Sequence, residues 1–209
     1  MNIIVAMCRN KGIGKNGKIP WVLKEDLLFF KKKTIGDGNN AVIMGRKTFE
    51  SLNNKLPKRD NYIISSSGLI DNVDKIGKID NVGKMENIDY LKNDSFFYNN
   101  IHTACYDMLT RTHQYDDIWV IGGEQIYSWF LHNNLVKDVY ITNVFLDEEC
   151  DCFFPDLPNR FKKIHSGNVI ESNYKHLMYN IDIYRNNECI NNPAYKYDLL
   201  RRLDFYKSK

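Results

Sequence analysis

The stretch IPWVLKEDLLFF, residues 19–30, places an acidic side chain on the apolar side of a predicted helix. On a helix that turns by ~100° per residue, four apolar side chains share one broad arc: Leu23, Leu27, Phe29 and Phe30. Asp26 falls inside this arc, and the adjacent Glu25 falls outside it. A carboxyl group in apolar surroundings can hold a polar ligand or transfer a proton, because burial shifts its pKa. We therefore predict that Asp26 faces a pocket or the core.

A second interpretation of Asp26 is open on the residues alone. A carboxylate near a helix start can accept hydrogen bonds from free backbone amides, and Asp26 lies only a few residues after Pro20 and Trp21. That role requires no apolar neighbours. An unpartnered buried acid is costly against a domain stability of about 5–15 kcal/mol, so it is a poor choice for structure alone. The arc of apolar residues therefore favours an acid that faces a ligand.

The stretch VIMGRKTF, residues 42–49, has residue types that bind phosphate. A short apolar strand ends at Gly45, and a helix begins near Thr48. Backbone N–H groups at the helix start, the Thr48 hydroxyl and the charges of Arg46 and Lys47 would suit a phosphorylated cofactor. A βα turn with solvated charges is the other interpretation, and the spacing does not decide between them.

Two later turns have residues that suit the same kind of ligand. Ser65 and Ser66 follow the apolar strand NYII and could donate hydroxyl groups to a phosphate, although serines are also ordinary turn residues. Gly122 and Gly123 separate the strand IWVI from a helix. Adjacent glycines allow a backbone to approach a ligand closely or to adopt an unusual peptide geometry, and they also occur in simple tight turns.

The stretch GIGKNG, residues 12–17, matches the dinucleotide pattern G-x-G-x-x-G, but that pattern presents a helix N-terminus to the ligand. Here Pro20 follows soon after the glycines and removes that context. A Walker phosphate loop is excluded, because no Ser or Thr follows Lys15. We interpret the segment as a flexible flap over a pocket.

Strands and helices alternate along most of the chain. Strand patterns occupy residues 3–8, 41–44 and 117–121 and the stretch NYIISSS, and helical patterns occupy residues 19–30, 101–111 and 124–131 and the segment from Thr48. DVYITNVF and HLMYNIDIYR are later strands without helices between them, and we predict that both are antiparallel edges. This order predicts an α/β sandwich on a mostly parallel sheet.

The composition fits one globular domain of 209 residues, 43% hydrophobic and 13% aromatic. A net charge of +3 is too small to indicate a nucleic-acid partner. The five cysteines form neither a disulfide framework nor a metal site, so we expect reduced thiols and no metal: Cys8, Cys105, Cys150, Cys152 and Cys189. The first apolar run is too short for a signal peptide, and no segment resembles a membrane span, so we predict a cytoplasmic location and no membrane partner.

Six motifs resemble dihydrofolate reductase, in the family's order and as far as about residue 185: IVAM…GIGKNGKIPW, Asp26 with LLFF, VIMGRKTFESL, LPKRDNYIISSS, VIGGEQIY and YIT…DCFFP. The resemblance implies the three-layer sandwich of that family, with an antiparallel C-terminal strand. It also implies an oxidoreductase of one-carbon metabolism, and an antifolate target. Such an enzyme reduces 7,8-dihydrofolate to tetrahydrofolate, with NADPH delivering a hydride to C6 and a proton reaching N5.

The resemblance also implies residue roles. Asp26 would hydrogen-bond the 2-amino group and N3 of the pteridine, Thr142 would join it through water, and Trp21 would lie in the mobile loop that closes the site. Arg59 would grip the folate α-carboxylate. The apolar walls around the rings would be Val5, Ala6, Leu27, Phe30, Leu52, Leu56 and Ile121. The NADPH contacts would be Ala6, Ile13, Gly14, Gly17, Gly45, Arg46, Lys47, Thr48, Ser65, Ser66, Ile121, Gly122, Gly123, Glu124, Gln125, Ile126 and Tyr127, with a cis Gly-Gly turn beside the nicotinamide.

Two segments depart from the family pattern. Residues 67–94, with the similar copies IDNVDKIGK and IDNVGKMEN, form an insertion longer than the usual loop, near the expected adenine end of the cofactor. We therefore predict a reductase domain at residues 1–187 with an insertion at about 67–95. The tail, residues 188–209, resembles a linker and the first helix of thymidylate synthase in bifunctional enzymes, which implies a fused or associated synthase domain. A helix packed on the reductase surface is the other interpretation.

Two rival functions are open. A riboflavin-pathway reductase of the same fold should lack the pairing of a pocket acid with an arginine such as Arg59, and both are present here. A non-catalytic binding or assembly domain would require the insertion or the tail to block the cofactor site. Phe49, where many family members have tryptophan, is a mild departure within the site region.

Overall fold

The computed structural model describes residues 1–52, 54–66, 95–110, 115–173 and 176–190, with only the backbone for residues 189 and 190. The strands are β1 (Asn2–Met7), β2 (Gly12–Gly14), β3 (Asn40–Gly45), β4 (Arg59–Ile64), β5 (Ser95–Tyr98), β6 (Ile118–Gly122), β7 (Asp138–Val144), β8 (Cys152–Phe153), β9 (Phe161–Ser166), β10 (Ile170–Glu171) and β11 (Met178–Asn186). The helices are α1 (Lys24–Ile35), α2 (Arg46–Ser51), α3 (Ile101–Thr110), α4 (Glu124–His132) and α5 (Asn187–Ile190). None of the described helices is long and apolar enough to span a membrane.

The described strands form one large sheet in the order β10-β11-β7-β1-β6-β3-β4-β5, with β9 on the outer side of β11. From β7 to β5 all neighbouring strands are parallel. β11 is antiparallel to β7, and β9 and β10 are antiparallel to β11. β2 and β8 form a separate two-stranded sheet. The predicted mostly parallel sheet with an antiparallel C-terminal strand is therefore confirmed.

Apolar side chains from successive strand positions pack on opposite faces of the sheet, as strand geometry requires. On one face Ile3 and Val120 pack with α3 and α4, through residues such as Met108 and Phe130. On the other face a second cluster includes Phe29 and Phe30 of α1 and Phe49 of α2. Helices on both faces give the three-layer sandwich.

The sequence patterns find most of the longer helices and strands, and the structure corrects several of them: α1 begins at Lys24 and not at residue 19, and strand β9 was not predicted. β7 and β11 were both predicted to be edge strands, but both lie inside the sheet: β7 lies between β1 and β11, and β11 lies between β7 and the short strands β9 and β10. Helix α2 begins at Arg46, two residues before the predicted Thr48. The glycine-rich segment was predicted to be a loop, yet part of it is strand β2, paired with β8.

The helix of the opening stretch begins at Lys24, and Leu23 is its N-cap residue. Acidic residues occupy its first turn and Lys32 and Lys33 its last turn, which favours the helix dipole. It ends at Gly36, whose φ of 53° few other residues adopt easily. The predicted insertion, apart from its last residue at 95, and most of the predicted tail lie outside the described residues.

Candidate active site

The Asp26 carboxyl lies beside the carboxyl ends of β1 and β7. In the sheet Ala6 of β1 pairs with Thr142 of β7, and the Thr142 side chain interacts with Asp26. Burial raises the pKa of the Asp26 carboxyl, and the Thr142 hydroxyl opposes part of that rise. A buried acid with a raised pKa and no ion pair with any described residue is typical of a functional site.

The Thr142 hydroxyl is buried, and its oxygen has no partner at hydrogen-bond geometry among the described residues. It is close enough to lower the pKa of Asp26 but does not complete a direct hydrogen bond with it. Buried hydroxyl groups are rarely left unpaired in folded proteins. We infer that the two groups are arranged to share a third polar partner, either a water molecule or a ligand atom.

The two neighbouring acids of α1 have different roles. Glu25 accepts hydrogen bonds from the Ser172 hydroxyl at 2.9 Å and from the Asn173 N–H at 3.0 Å. Its own backbone N–H and Ser172 lower the pKa of Glu25. Glu25 therefore anchors the start of α1 to the residues after β10, whereas the Asp26 carboxyl interacts with Thr142.

Tyr127 connects Asp26 with the Gly-Gly turn. Burial raises the pKa of the Tyr127 phenol, and the negative charge of Asp26 adds to the rise. The phenol donates a hydrogen bond of 3.0 Å to the Ile4 carbonyl. A Cβ atom built on Gly122 would lie 3.1 Å from the Tyr127 ring and hydroxyl. Tyr127 therefore packs against Gly122 within the electrostatic reach of Asp26, and the Gly122-Gly123 peptide bond is cis.

The predicted apolar walls fall into four places in the structure. Phe30, Leu52, Leu56 and Ile121 belong to the cluster on the α1 face. Ala6 packs at the end of the sheet with Trp21 and Leu23. The Val5 side chain packs on the opposite face with residues of α4 and does not join the cluster on the α1 face. Leu27 is 54% exposed and available to a ligand rather than part of the core.

Arg59 lies at the start of β4, beneath the second half of α1. It is only 3% exposed, and its guanidinium donates to the Thr34 hydroxyl and, at 3.2 Å, to the Pro57 carbonyl. Its Cζ lies 5.7 Å from the centre of the Phe30 ring, which favours a cation–π contact. Burial lowers the pKa of Arg59 to about 10. No described acidic side chain forms an ion pair with it, so the charge is available to an anionic ligand.

Three turns with polar or glycine residues lie side by side. β6, β3 and β4 are adjacent and parallel, so their carboxyl ends share one edge of the sheet. At this edge, β6 leads to Gly123, β3 to Arg46 and β4 to Ser65. A Cβ atom on Gly123 would lie 3.4 Å from the Thr48 hydroxyl, which places the first two turns in contact. Ligands of open α/β sheets bind at this kind of edge.

The two cations of the β3–α2 turn differ in their partners. The Arg46 guanidinium forms an ion pair with Glu50 at 2.7 Å. Lys47 is exposed and lowers the pKa of the Cys152 thiol in β8, whereas burial of that thiol raises it more. Lys47 therefore lies near the β8 segment and is the cation more readily available to a phosphate.

The glycine-rich segment is held by the chain that follows β7. The Asp151 N–H donates to the Gly14 carbonyl at 3.0 Å, and the Asn16 N–H donates to the Asp151 carboxylate at 2.7 Å. Ile13 packs against the α4-side cluster, and Gly17 is exposed with a φ of 73°. Apart from Ile13 and the buried Gly12, these contacts lie at the surface, so opening of the outer part of the segment would break mainly surface contacts.

The remaining predicted cofactor contacts lie at the start of α4. The Glu124 carboxylate accepts a hydrogen bond of 3.1 Å from the Phe153 N–H, and Gln125 is exposed. Ile126 is buried and would lie 3.4 Å from a Cβ atom on Gly45. The start of α4 therefore contacts both the β3–α2 turn and β8.

Replacing Gly122 by alanine is expected to destabilise the protein by about 1–3 kcal/mol. The reason is its φ of 113° together with the approach of the new Cβ to Tyr127. Gly123→Ala is the matched control, because its φ is −78° and its nearest neighbour is at ordinary contact distance. Thermal unfolding of both variants would test this expectation, and equal losses of stability would contradict it.

A family model described as dihydrofolate reductase matches residues 1–97 and 86–186. The chain belongs to the dihydrofolate reductase family. It is 29% identical over 170 residues to the dihydrofolate reductase of Drosophila melanogaster, covering 78% of this chain and 83% of that protein. It is 32% identical over 172 residues to the enzyme of Buchnera aphidicola (strain Bp), covering 82% and 87%.

Fused relatives also match. The bifunctional dihydrofolate reductase-thymidylate synthase of Paramecium tetraurelia is 34% identical over 184 residues, which cover 85% of this chain and 34% of that protein. The match to dihydrofolate reductases supports a nicotinamide cofactor in general, and the edge with the three turns is where this chain has suitable residues.

Sequence reasoning missed two residues of this dihydrofolate reductase site. Thr34, fully buried, accepts a hydrogen bond from Arg59 and donates one of 2.7 Å to the Phe30 carbonyl. Thr34 lies eight residues after Asp26 on the same helix face, and this spacing could have placed it beside the predicted site. Asp151, which holds the glycine-rich segment, had no signal in its own neighbourhood, because its partner is far away in sequence.

Proposed function

We propose that this chain catalyses the NADPH-dependent reduction of 7,8-dihydrofolate to 5,6,7,8-tetrahydrofolate. The observation that carries the proposal is a desolvated acid and a desolvated arginine along one helix, neither of them paired with an opposite charge among the described residues. Dihydrofolate has a polar flat ring at one end and a carboxylate at the other, so it matches both groups.

Helix α1 sets the distance between these groups. Asp26, Phe30 and Thr34 recur every four residues and therefore share one helix face. At 1.5 Å per residue, Asp26 and Thr34 are about 12 Å apart along the helix axis. Since Thr34 bonds to Arg59, the acid and the guanidinium lie at opposite ends of this face. A substrate that lies along the helix would place its rings beside Phe30 and Leu27.

The protein's own part in the reaction is binding, orientation and proton supply. When bound, the reduced nicotinamide supplies a hydride to C6 of the pteridine. The Asp26 carboxylate accepts hydrogen bonds from the pteridine 2-amino group and N3, and its charge favours a protonated pterin. The Thr142 hydroxyl and the Asp26 carboxyl would share a third polar partner, either a water molecule or an atom of the pteridine. Trp21 closes the site from the loop side and excludes bulk water.

The residues at the sheet edge suit the phosphates and nicotinamide of NADPH. Gly122 and Gly123 allow Tyr127 and the Thr48 hydroxyl to pack closely against the turn, which would hold both side chains beside a bound nicotinamide. Backbone N–H groups and the hydroxyls of Thr48, Ser65 and Ser66 are hydrogen-bond donors, and Lys47 adds positive charge. The donor set thus fits an anionic dinucleotide, with the nicotinamide toward Asp26.

Replacing Lys47 by alanine is expected to raise the KM for NADPH about fivefold, since an exposed ion pair contributes roughly 1 kcal/mol at most. Arg46→Ala should have a smaller effect, because Arg46 is paired with Glu50. Lys31→Ala, which removes an exposed lysine of α1, is the matched control. Steady-state kinetics at low and high salt would test this, and a larger effect of Arg46→Ala would contradict it.

The function is tested by mixing the purified chain, NADPH and dihydrofolate and following the loss of reduced-nicotinamide absorbance. An antifolate should abolish the loss. No loss under any condition would overturn the proposal and favour a non-catalytic binding domain. Turnover of a riboflavin precursor in place of dihydrofolate would favour the rival reductase.

We also propose that a thymidylate synthase domain, fused or associated through residues 188–209, uses the folate cycle that this domain supplies in the cytoplasm. The support is the synthase-like tail sequence and the existence of fused relatives such as that of Paramecium tetraurelia. Copurification of synthase activity with the native protein would test this partnership. Its absence would leave the reductase proposal unaffected.

A further inference from the structure

Two thiols meet where the glycine-rich segment joins the chain after β7. Cys8, directly after β1, and Cys150, directly before Asp151, have their sulfur atoms 3.9 Å apart. Cys8 is 2% exposed, and Cys150 is partly exposed. A disulfide requires an S–S distance of about 2.05 Å, so the sulfurs need to approach by only about 2 Å.

The position of Cys150 depends on a glycine opposite it. A Cβ atom on Gly12 would lie 2.3 Å from the Cys150 sulfur, so only glycine leaves room for this thiol. Asn10 holds the same junction, accepting from the Cys8 thiol and from the Gly12 N–H, each at 2.9 Å. It also donates to the Glu148 carbonyl at 3.0 Å. The two cysteines are therefore kept together by a defined local structure.

We infer that Cys8 and Cys150 form a reversible dithiol–disulfide site that reacts with hydroperoxides. Hydrogen peroxide transfers an oxygen atom to the Cys150 thiolate, giving a sulfenic acid and hydroxide. The Cys8 sulfur attacks the sulfenic sulfur, the S–S bond forms and a second hydroxide leaves. The two thiol protons and two hydroxides give two water molecules. Each sulfur loses one electron, and the peroxide gains both.

Cys150 is the thiol that reacts first, because it is the more exposed of the two. Burial and the neighbouring Cys8 raise the pKa of the Cys150 thiol to about 11; Glu148 acts in the same direction, and a hydrogen bond with the Gly14 backbone opposes it. Thiolate is the reactive form, so the reaction is slow at neutral pH and faster as pH rises. Once formed, the bond is removed by a dithiol reductant.

The disulfide would restrain the glycine-rich segment. Residues 148–151 hold that segment through Asp151, through Asn10 and through an ion pair of 2.7 Å between Lys15 and Glu149. A covalent bond from Cys150 to the end of β1 would fix these contacts to the central sheet. Opening of the segment would then require a larger rearrangement, and the oxidised protein would open less often.

Peptide mapping tests the bond without any substitution. Trypsin releases Cys8 on residues 1–9 and both Cys150 and Cys152 on residues 138–160. After treatment with hydrogen peroxide at about pH 8.5, we expect these two peptides to be cross-linked and to separate again with dithiothreitol. Cys152→Ser should keep the cross-link, and Cys150→Ser should lose it.

Native-state proteolysis tests the restraint. Trypsin can cut the segment after Lys11, Lys15 and Lys18, and cutting requires the segment to open. We expect slower cutting of the oxidised wild-type protein and an unchanged rate for peroxide-treated Cys150→Ser. Three results would overturn the site: a cross-link that requires Cys152 or Cys189, over-oxidation of Cys150 without a cross-link, or no reaction with the peroxide. An unchanged cutting rate in the cross-linked protein would overturn the restraint.

Discussion

Replacing Asp26 by asparagine is expected to lower turnover at neutral pH by about 10²–10³-fold, within the usual range for loss of acid–base assistance. Asparagine fills nearly the same space but has no negative charge to favour the protonated pterin. The proton must then come from solvent, so the residual rate should rise as the pH falls. Binding of NADPH should change little, because the cofactor contacts lie at the sheet edge. Stopped-flow turnover and fluorescence titration with NADPH measure the two effects.

The matched control is Asp37→Asn, which removes an exposed acid just beyond α1 and should leave turnover unchanged. Near-normal turnover of Asp26→Asn would contradict the role of Asp26. So would an equal loss in both variants, since it would point to general electrostatics rather than to the acid in the site.

The same substitution should change stability in the opposite direction. Burial raises the folded-state pKa of Asp26 above its ordinary value of 3.8, so the folded protein binds this proton more tightly than the unfolded chain. Stability contributed by the group is therefore lost as pH rises from 3.8 through the folded pKa. Asp26→Asn should be more stable than the wild type at neutral pH, and the difference should vanish below the ordinary value. Chemical denaturation at several pH values would test this.

Replacing Arg59 by leucine is expected to weaken dihydrofolate binding by about 10- to 150-fold, because a charge-assisted hydrogen bond contributes about 1.5–3 kcal/mol. Turnover at saturating substrate should change much less, since Arg59 lies far from the reacting ring. Arg59→Lys keeps the charge but loses the planar fork, so it should restore only part of the affinity. Because the pKa of Arg59 is lowered to about 10, wild-type affinity should fall as pH rises through that value.

A truncated substrate separates the role of Arg59 from a structural one. A dihydropterin without the benzoylglutamate portion has no carboxylate for Arg59 to bind. Wild type and Arg59→Leu should therefore reduce it with similar KM values. If the variant were equally impaired with the truncated substrate, Arg59 would support the fold of the site and not the substrate carboxylate.

The parts of the site visible in the sequence are those with local signals. Asp26 is out of place on its own helix, and a Gly-Gly pair or a GRKT turn is unusual at a strand end. These signals need no knowledge of distant residues. Motif resemblance then supplied residue roles, and the position of Arg59 under α1 agrees with such a role.

The parts that the sequence did not reveal depend on pairing between distant segments. β7 is buried on both faces, but the sequence does not show which strands cover it. Its parallel partner β1 lies far away in the chain, so the pairing that places β7 inside the sheet cannot be read from local residues. Strand β8 has two exposed residues and exists because it meets β2. The apolar arc of the predicted helix grouped Leu27 with buried residues, but Leu27 is exposed. A helical projection of the sequence does not distinguish a side chain that faces a ligand from one that faces the core.

The anchoring of Glu25 has an evolutionary consequence. Ser172 and Asn173, at the outer margin of the sheet, set the direction of the first turn of α1, although neither residue is predicted to bind substrate or cofactor. Substitutions at these two positions are therefore expected to change the orientation of the first turn of α1, which carries Asp26, while every predicted binding residue stays the same.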